Sequence, residues 1–373
     1  MISIDKLKRQ GAKQGGANAS GGLGGVYKDE LDNSTYLVKK EGDITANICE
    51  FLGSRIFAAT SEGHGAEVSL AASSGSYLPS EKGADIYVAS KFFDHYSDLY
   101  KDIDEYAGTP KAFRKDGRPL FAGTLEVFTG YLSKAFKQEK YQDFAKVAAT
   151  SLLIGDFDIH TGNIGVVREP GKDPRLVRID FGRAFDAFGA NVNPESFMEH
   201  LPGLGPTNHF REFPIHLRQN KEFVDELKRV SKIDMTESIN DSVDQLAQAY
   251  GPTALKEFMS KKLGLNKEEI NQIVNQNAKL IGQEGVDETE ILKNTLKMQL
   301  ISRLKARQMC LESYANELTS RGLYAQNEKG EWVKKENKLV ESLTSKPAPR
   351  TTIISAARKR VGKFLSRKGD RSL

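Results

Sequence analysis

The stretch from Asp156 to Gly182, DFDIHTGNIGVVREPGKDPRLVRIDFG, constrains this chain more than any other. It holds three groups able to bind a cation or move a proton, Asp158, Asn163 and Asp180, on two loops. Asp158 and Asn163 are five residues apart, a spacing at which one loop presents a carboxylate to a hydroxyl and an amide oxygen to a metal ion. Apolar runs at 164–167 and 176–179 flank turn chemistry at Pro170-Gly171 and Asp173-Pro174, which predicts two short paired strands. Pairing them brings Asn163 and Asp180 to the same end. Two oxygen ligands at that end suit Mg²⁺, which keeps positions open for water and phosphate oxygens. Asp158 is then left to accept a proton.

The 373 residues are enough for two lobes, each with a core. No apolar run approaches the roughly 20 residues that span a bilayer, and the opening MISIDKLKRQ lacks the apolar centre of a signal peptide. The expectation is a cytoplasmic type of chain without Sec-type export. Cys49 and Cys310 form no metal spacing, which points to a reducing compartment. The net charge of +4 hides an asymmetry: residues 347–373 carry +7, so the body is mildly acidic. Nucleic-acid binding by the body has no electrostatic support.

Upstream, residues 1–20 read as polar and poorly ordered. The run Ala19-Ser20-Gly21-Gly22-Leu23-Gly24-Gly25-Val26 follows, leading into a strand pattern. Its glycines let the backbone approach phosphates, and a flexible linker is the other reading. Residues 35–39 predict a strand ending in Lys39. Residues 43–57 predict a helix with Ile44, Ile48, Phe51, Leu52 and Ile56 on one side and Glu50 in its middle, either on the surface or facing Lys39. Strands are expected at 67–72 and 85–89, helices at 123–136 and 141–154. Lys111, Arg114, Lys115 and Arg118 form a cationic cluster, either a solvated face or a polyanion site.

From 215 to 322 the pattern is helical: Pro252 opens one segment and Gly264 ends it, and Asp287 with Glu290 predicts a capped helix start. Leu292, Leu296, Leu300, Leu304, Leu311 and Leu318 form a core stripe on the helix that follows. Residues 325–350 read as a linker. In the tail, Ile354, Ala357, Val361, Phe364 and Leu365 fall among cations, either as a basic amphipathic helix on an anionic membrane or as a disordered signal.

Taken in order, these elements resemble the protein-kinase superfamily. They match the D-x-H-x-x-N form of phosphatidylinositol kinases and of atypical bacterial effector kinases, including those of Legionella type. The resemblance covers about residues 19–185. It implies an α+β, bilobal protein-kinase-like fold: a small antiparallel β-rich N-lobe (1–90), a mostly helical C-lobe (91–324), then linker and basic tail (325–373). It also implies ATP and Mg²⁺, with Mn²⁺ as a substitute. Gly21, Gly22, Gly24 and Val26 would cover the nucleotide, although Ala19 stands where the first glycine is expected. Lys39 would hold phosphates and be oriented by Glu50. Asp158 would be the catalytic base, Asn163 and Asp180 the metal ligands, and His160 a loop-stabilising or phosphate-contacting residue. Ala89 and Lys91 fall at the hinge that would receive adenine.

By the same resemblance the acceptor is a protein Ser/Thr hydroxyl rather than a lipid. The lipid reading is weakened by the single Arg183 against Asp186, Glu195 and Glu199 after Gly182. Some effector kinases of this kind need inositol hexakisphosphate, the expected ligand of the Lys111–Arg118 cluster, and act after secretion into a host cell. A phosphoinositide kinase, an AMP-transferring enzyme and a nucleotide-binding scaffold remain as alternatives.

Overall fold

The computed structural model describes residues 1–12, 22–73, 86–99, 101–102, 112–113, 119–120, 143–156, 158–159, 162–186, 188, 221–281, 287–320, 324–326 and 332–334. Strands β1 (Ile2–Ser3), β2 (Lys8–Gly11), β3 (Gly25–Lys28) and β4 (Thr35–Lys39) lead to helix α1 (Ile44–Ser61), then β5 (Val68–Ala72), β6 (Tyr87–Lys91) and β7 (Tyr96–Asp98). The short pair β8 (Ala112–Phe113) and β9 (Pro119–Leu120) precedes α2 (Phe144–Ile154), β10 (Ile164–Val167) and β11 (Arg175–Arg178). Five helices follow: α3 (Lys221–Val230), α4 (Thr236–Ala249), α5 (Pro252–Leu263), α6 (Lys267–Ile281) and α7 (Glu288–Ser320). Residues Met1–Arg321 form one compact unit and Gly322–Leu373 a second.

In the first unit a six-stranded sheet runs β1-β5-β6-β4-β3-β2, antiparallel except for β1 beside β5. One face carries an apolar cluster of Ile4, Tyr27, Val38, Ala71, Tyr87 and Ala89. Residues 1–12 therefore depart from expectation, and 13–20 lie outside the described residues. Ile4 is buried in the core, and Lys8–Gly11 forms an edge strand. All four residues of β2 are exposed, so no apolar pattern announces it.

Helix α1 packs on the sheet through β5 and β6 and on its other sides against α2, α4 and α5. Asp43 caps it by accepting from the Thr45 N–H at 2.9 Å, and the left-handed Glu62 ends it. Ile48, Phe51, Leu52, Ile56 and Phe57 are all buried. Each contributes about 1.5–3 kcal/mol relative to exposure. The helix runs four residues past the expected 57, because Ala58 to Ser61 are compatible with helix and the first left-handed residue is Glu62.

The hairpin expected between the two loops is present as β10 and β11, paired from Ile164↔Arg178 to Val167↔Arg175. On its other side β10 takes β7, a strand not expected from the sequence. Gly165 makes this possible: a Cβ there would run into the Tyr96 ring. Helix α2 ends at the left-handed Gly155, directly before the loop. Arg307, buried on α7, donates to the carbonyls of Leu152 and Leu153 at that helix end, and burial pushes its pKa down to about 9. The expected leucine stripe of α7 is buried throughout, and Asp287 accepts from the Thr289 N–H as its cap.

The expected helix at 123–136 lies outside the described residues. The expected boundary at 324/325 falls inside a strand: β12 (Tyr324–Gln326) and β13 (Trp332–Lys334) form a hairpin where a linker was expected to begin. Likewise the boundary at 90/91 cuts β6. Among the described residues no helix is long and apolar enough to cross a membrane.

His64 joins the α1–β5 connection to the hairpin. Its ring Nδ1 donates to Leu176 O at 2.7 Å and its own carbonyl accepts from the Arg178 N–H at 2.7 Å. Burial holds its pKa below the usual histidine value, despite the opposing contacts to Leu176 and Asp143. Unfolded histidine takes up its proton near about pH 6.5. The unfolded state therefore binds more protons just below that pH, and stability falls as the medium is acidified through it. His64 therefore lowers the melting temperature at pH 5.5 relative to pH 7.5, and His64→Gln should raise the pH 5.5 value relative to the pH 7.5 value when compared with the wild-type chain. An identical difference in both proteins would show that another group is responsible.

Candidate functional site

Lys39 ends β4, and the register fixes which way it faces. It pairs with Val88, while Leu37 pairs with both Ser90 and Val26. Directly opposed residues of antiparallel strands share a face. Val26, Leu37, Lys39, Val88 and Ser90 therefore line the α1 side of the sheet. Glu50 projects from the middle of α1, and its Oε2 lies 3.2 Å from Lys39 Nζ. On the other side of that ammonium, Asp180 Oδ1 also lies at 3.2 Å. Glu50 Oε2 additionally accepts the Phe181 N–H at 2.7 Å, so one carboxylate fixes both the lysine and the loop after β11.

The electrostatics follow from enclosure. Lys39 and Glu50 are 3% and 1% exposed. Burial opposes the charge on Lys39, but Glu50, Asp180 and Glu41 outweigh it and hold its pKa above the usual lysine value. Burial dominates at Glu50 and pushes its pKa up to about 7, against the pull of Lys39. Asp180 goes the other way: enclosure is overcome by Lys39 and Arg178, which hold it well below the usual carboxylate range. A side chain 45% exposed, at left-handed φ 62°, thus stays ionised at the mouth of the cluster.

Asn163 opens β10, and its Nδ2 donates to Asp158 O at 2.9 Å and to Asp158 Oδ2 at 3.3 Å. That turns its Oδ1 away from the aspartate. One amide oxygen and the Asp180 carboxylate form a sparse oxygen donor set, which fits Mg²⁺ with its preference for few protein ligands. Among the described residues no cluster of three or more His, Cys, Asp or Glu side chains could hold a metal.

Of the other candidates, Gly22 and Gly24 lead into β3 beside Leu23. Leu23 is held by Tyr27 Oη donating to its carbonyl at 2.7 Å and by its N–H donating to Tyr87 Oη at 3.3 Å. Gly21, His160, Lys111, Arg114, Lys115 and Arg118 lie outside the described residues.

Ala89 and Lys91, expected by chain order at the hinge, lie on β6. They pair with Val38 and Tyr36, so they face away from Lys39. Ala89 is part of the apolar cluster, and the Lys91 N–H is committed to Glu67 O. Val88 and Ser90 share the Lys39 face of the sheet. Lys91 instead lines a groove of about 910 Å³ with Glu67, Phe92, His95, Glu169 and Arg175, which contains none of the lysine–carboxylate cluster. The residues missed entirely are Asp156 and Arg178, both 0% exposed and paired at 3.0 Å beneath the Asp158–Asn163 loop.

An antiparallel sheet whose inner strand carries a lysine, a following helix whose glutamate binds it, and an Asp-Phe-Gly loop at the same point define a protein-kinase-like fold. Residues 91–322 match the LepB N-terminal domain family, and the chain belongs to that family. No curated protein matches it in sequence. Among solved structures it is similar to the Helicobacter pylori proinflammatory kinase CtkA, at 17% identity over 84% of this chain and 96% of that one, with a TM-score of 0.42. It is also similar to the N-terminal 618-residue fragment of LepB from Legionella pneumophila, at 12% identity and a TM-score of 0.37. That match covers 77% of this chain and 46% of the fragment, so the chain spans about half of it.

The close approach of α1 to the Asp180 loop gives a direct test. A Cβ on Gly53 would lie 2.7 Å from Ala184 Cβ and 3.0 Å from Phe181 Cβ. Gly53→Ala should lower the unfolding free energy by about 1–3 kcal/mol through overpacking. Denaturant titration measures this, and an unchanged midpoint would show that the loop can yield.

Proposed function

We propose that the chain is an ATP-dependent phosphotransferase that moves the γ-phosphoryl group to a protein Ser or Thr hydroxyl. The observation that carries this is the convergence of Lys39, Glu50 and Asp180, from three separate segments, with both carboxylates 3.2 Å from one ammonium. Lys39, oriented by Glu50, would grip the nucleotide phosphates, beneath a cover supplied by the Gly21–Val26 segment. Asn163 and Asp180 would hold Mg²⁺, or Mn²⁺ in its place, and the bound ion would screen the phosphate charge. Asp158, steadied by Asn163 Nδ2, would orient the acceptor hydroxyl and take its proton. His160 would steady this loop or touch phosphate.

Membership of the LepB N-terminal domain family supports a bacterial effector acting inside a host cell. Inositol hexakisphosphate is the proposed activator, bound by Lys111, Arg114, Lys115 and Arg118. The basic tail is proposed to meet an anionic membrane surface.

The test is incubation with Mg²⁺ and ATP labelled at the α- or γ-phosphate, with protein and phosphoinositide acceptors, with and without inositol hexakisphosphate. γ-Label should pass to protein. Asp180→Ala should abolish transfer, and Asp158→Ala should lower it by about 10²–10⁴-fold while leaving nucleotide binding nearly intact. Label in lipid would make the chain a phosphoinositide kinase, and transfer of α-label would mean AMP transfer. No transfer under any condition would leave a nucleotide-binding scaffold. Neutralising the four cations should remove the response to inositol hexakisphosphate, and an unchanged response would refute their role.

A further inference from the structure

Asp156 and Arg178 have no part in the chemistry just proposed, yet both are fully enclosed beneath it. Arg178 is the last residue of β11, two before Asp180, and Asp156 follows the glycine that ends α2. Arg178 Nη2 donates to Asp156 Oδ2 at 3.0 Å and to Asp158 O at 3.2 Å. Its Nη1 donates to Asn163 O at 3.1 Å and also to Ile179 O. The carboxylate is used at both ends, since Asp156 Oδ1 accepts the Asp158 N–H at 3.0 Å. The guanidinium carbon lies 5.5 Å from the centroid of the Phe181 ring.

This arrangement is more than a charge pair. The guanidinium is a flat, rigid fork, and here its two ends reach the first and last residues of the 158–163 loop and the residue preceding Asp180. A lysine is a single charge on a flexible stem and cannot span these acceptors. Stability alone does not account for it, because a buried ion pair replaced by apolar side chains of similar volume is often neutral or stabilising. We infer that Arg178 and Asp156 are positioning residues, which set the distance between the proton-accepting Asp158 and the metal-binding Asn163 and Asp180 by clamping the backbone of both loops. The inference rests on the phosphotransferase reading for its effect on turnover and on geometry for its effect on the loops.

The experiment compares the wild-type chain with Arg178→Lys and with the double variant Asp156→Leu/Arg178→Met. Melting temperature, kcat, KM for ATP and amide hydrogen exchange are followed in each. In both variants kcat should fall about 30-fold or more, with KM for ATP changed less than about threefold, the pattern of a lost transition-state interaction. Exchange across 156–164 and 178–182 should quicken about tenfold or more, with the rest of the chain unaffected. A double variant that folds with wild-type kcat and wild-type exchange would overturn the inference and reduce the pair to a replaceable core contact. Should the double variant not fold, Arg178→Lys decides, since it keeps the charge and loses the fork, and wild-type turnover and exchange there refute the clamp. Inactivity of the wild-type chain would refute the phosphotransferase reading, and the exchange measurement would still decide whether the pair holds the loops.

Discussion

A single ammonium group, enclosed and shared between two carboxylates, sets the terms for the rest of this molecule. Lys39 sits at the end of an inner strand where water is excluded, and its charge persists because Glu50 and Asp180 are both 3.2 Å away, with Glu41 at 4.0 Å. Removing both would leave a poorly compensated charge in the core, which is far more costly than losing an exposed pair. The strand, helix α1 and the loop after β11 are therefore constrained to meet at one point. The sheet register, the cap at Asp43 and the bare backbone of Gly53 all serve that meeting.

Each partner is fixed by a different kind of force. Apolar packing around Ile48, Phe51 and Leu52 holds the glutamate, and ladder hydrogen bonds hold the lysine. The aspartate depends on its neighbours along the chain: Phe181 donates its N–H to Glu50, and Arg178 reaches into the loop opposite. Polar groups in such a cluster reinforce one another when every donor and acceptor is matched, and become liabilities when one is left over.

Features whose signal is local were legible in the chain. The hairpin announced itself through two apolar runs around Pro-Gly and Asp-Pro, while the Lys39–Glu50 partnership was carried by the resemblance to kinases, the residues alone leaving Glu50 on the surface or facing inward. The α7 stripe was equally plain, since leucines recurring at helical spacing along a long segment mark a face that water leaves. Features that depend on register were not legible. Ala89 and Lys91 were placed by chain order alone, and the face each side chain takes follows only from the pairing of β4 with β6. Asp156 and Arg178 are 22 residues apart, and only the alignment of Ile164 with Arg178 brings that guanidinium beneath the loop. Strand β2 escaped for a different reason: with all its residues exposed, it carries no apolar alternation to read.

The enclosure of α1 by sheet on one side and by α2, α4 and α5 on the others has a thermodynamic consequence. A helix packed on only one surface can swing away at the expense of a few contacts. One that is common property of both layers leaves its place only when both give way. Displacing α1 requires parting it from the sheet and from three helices together, so the position of Glu50 is set by both layers at once.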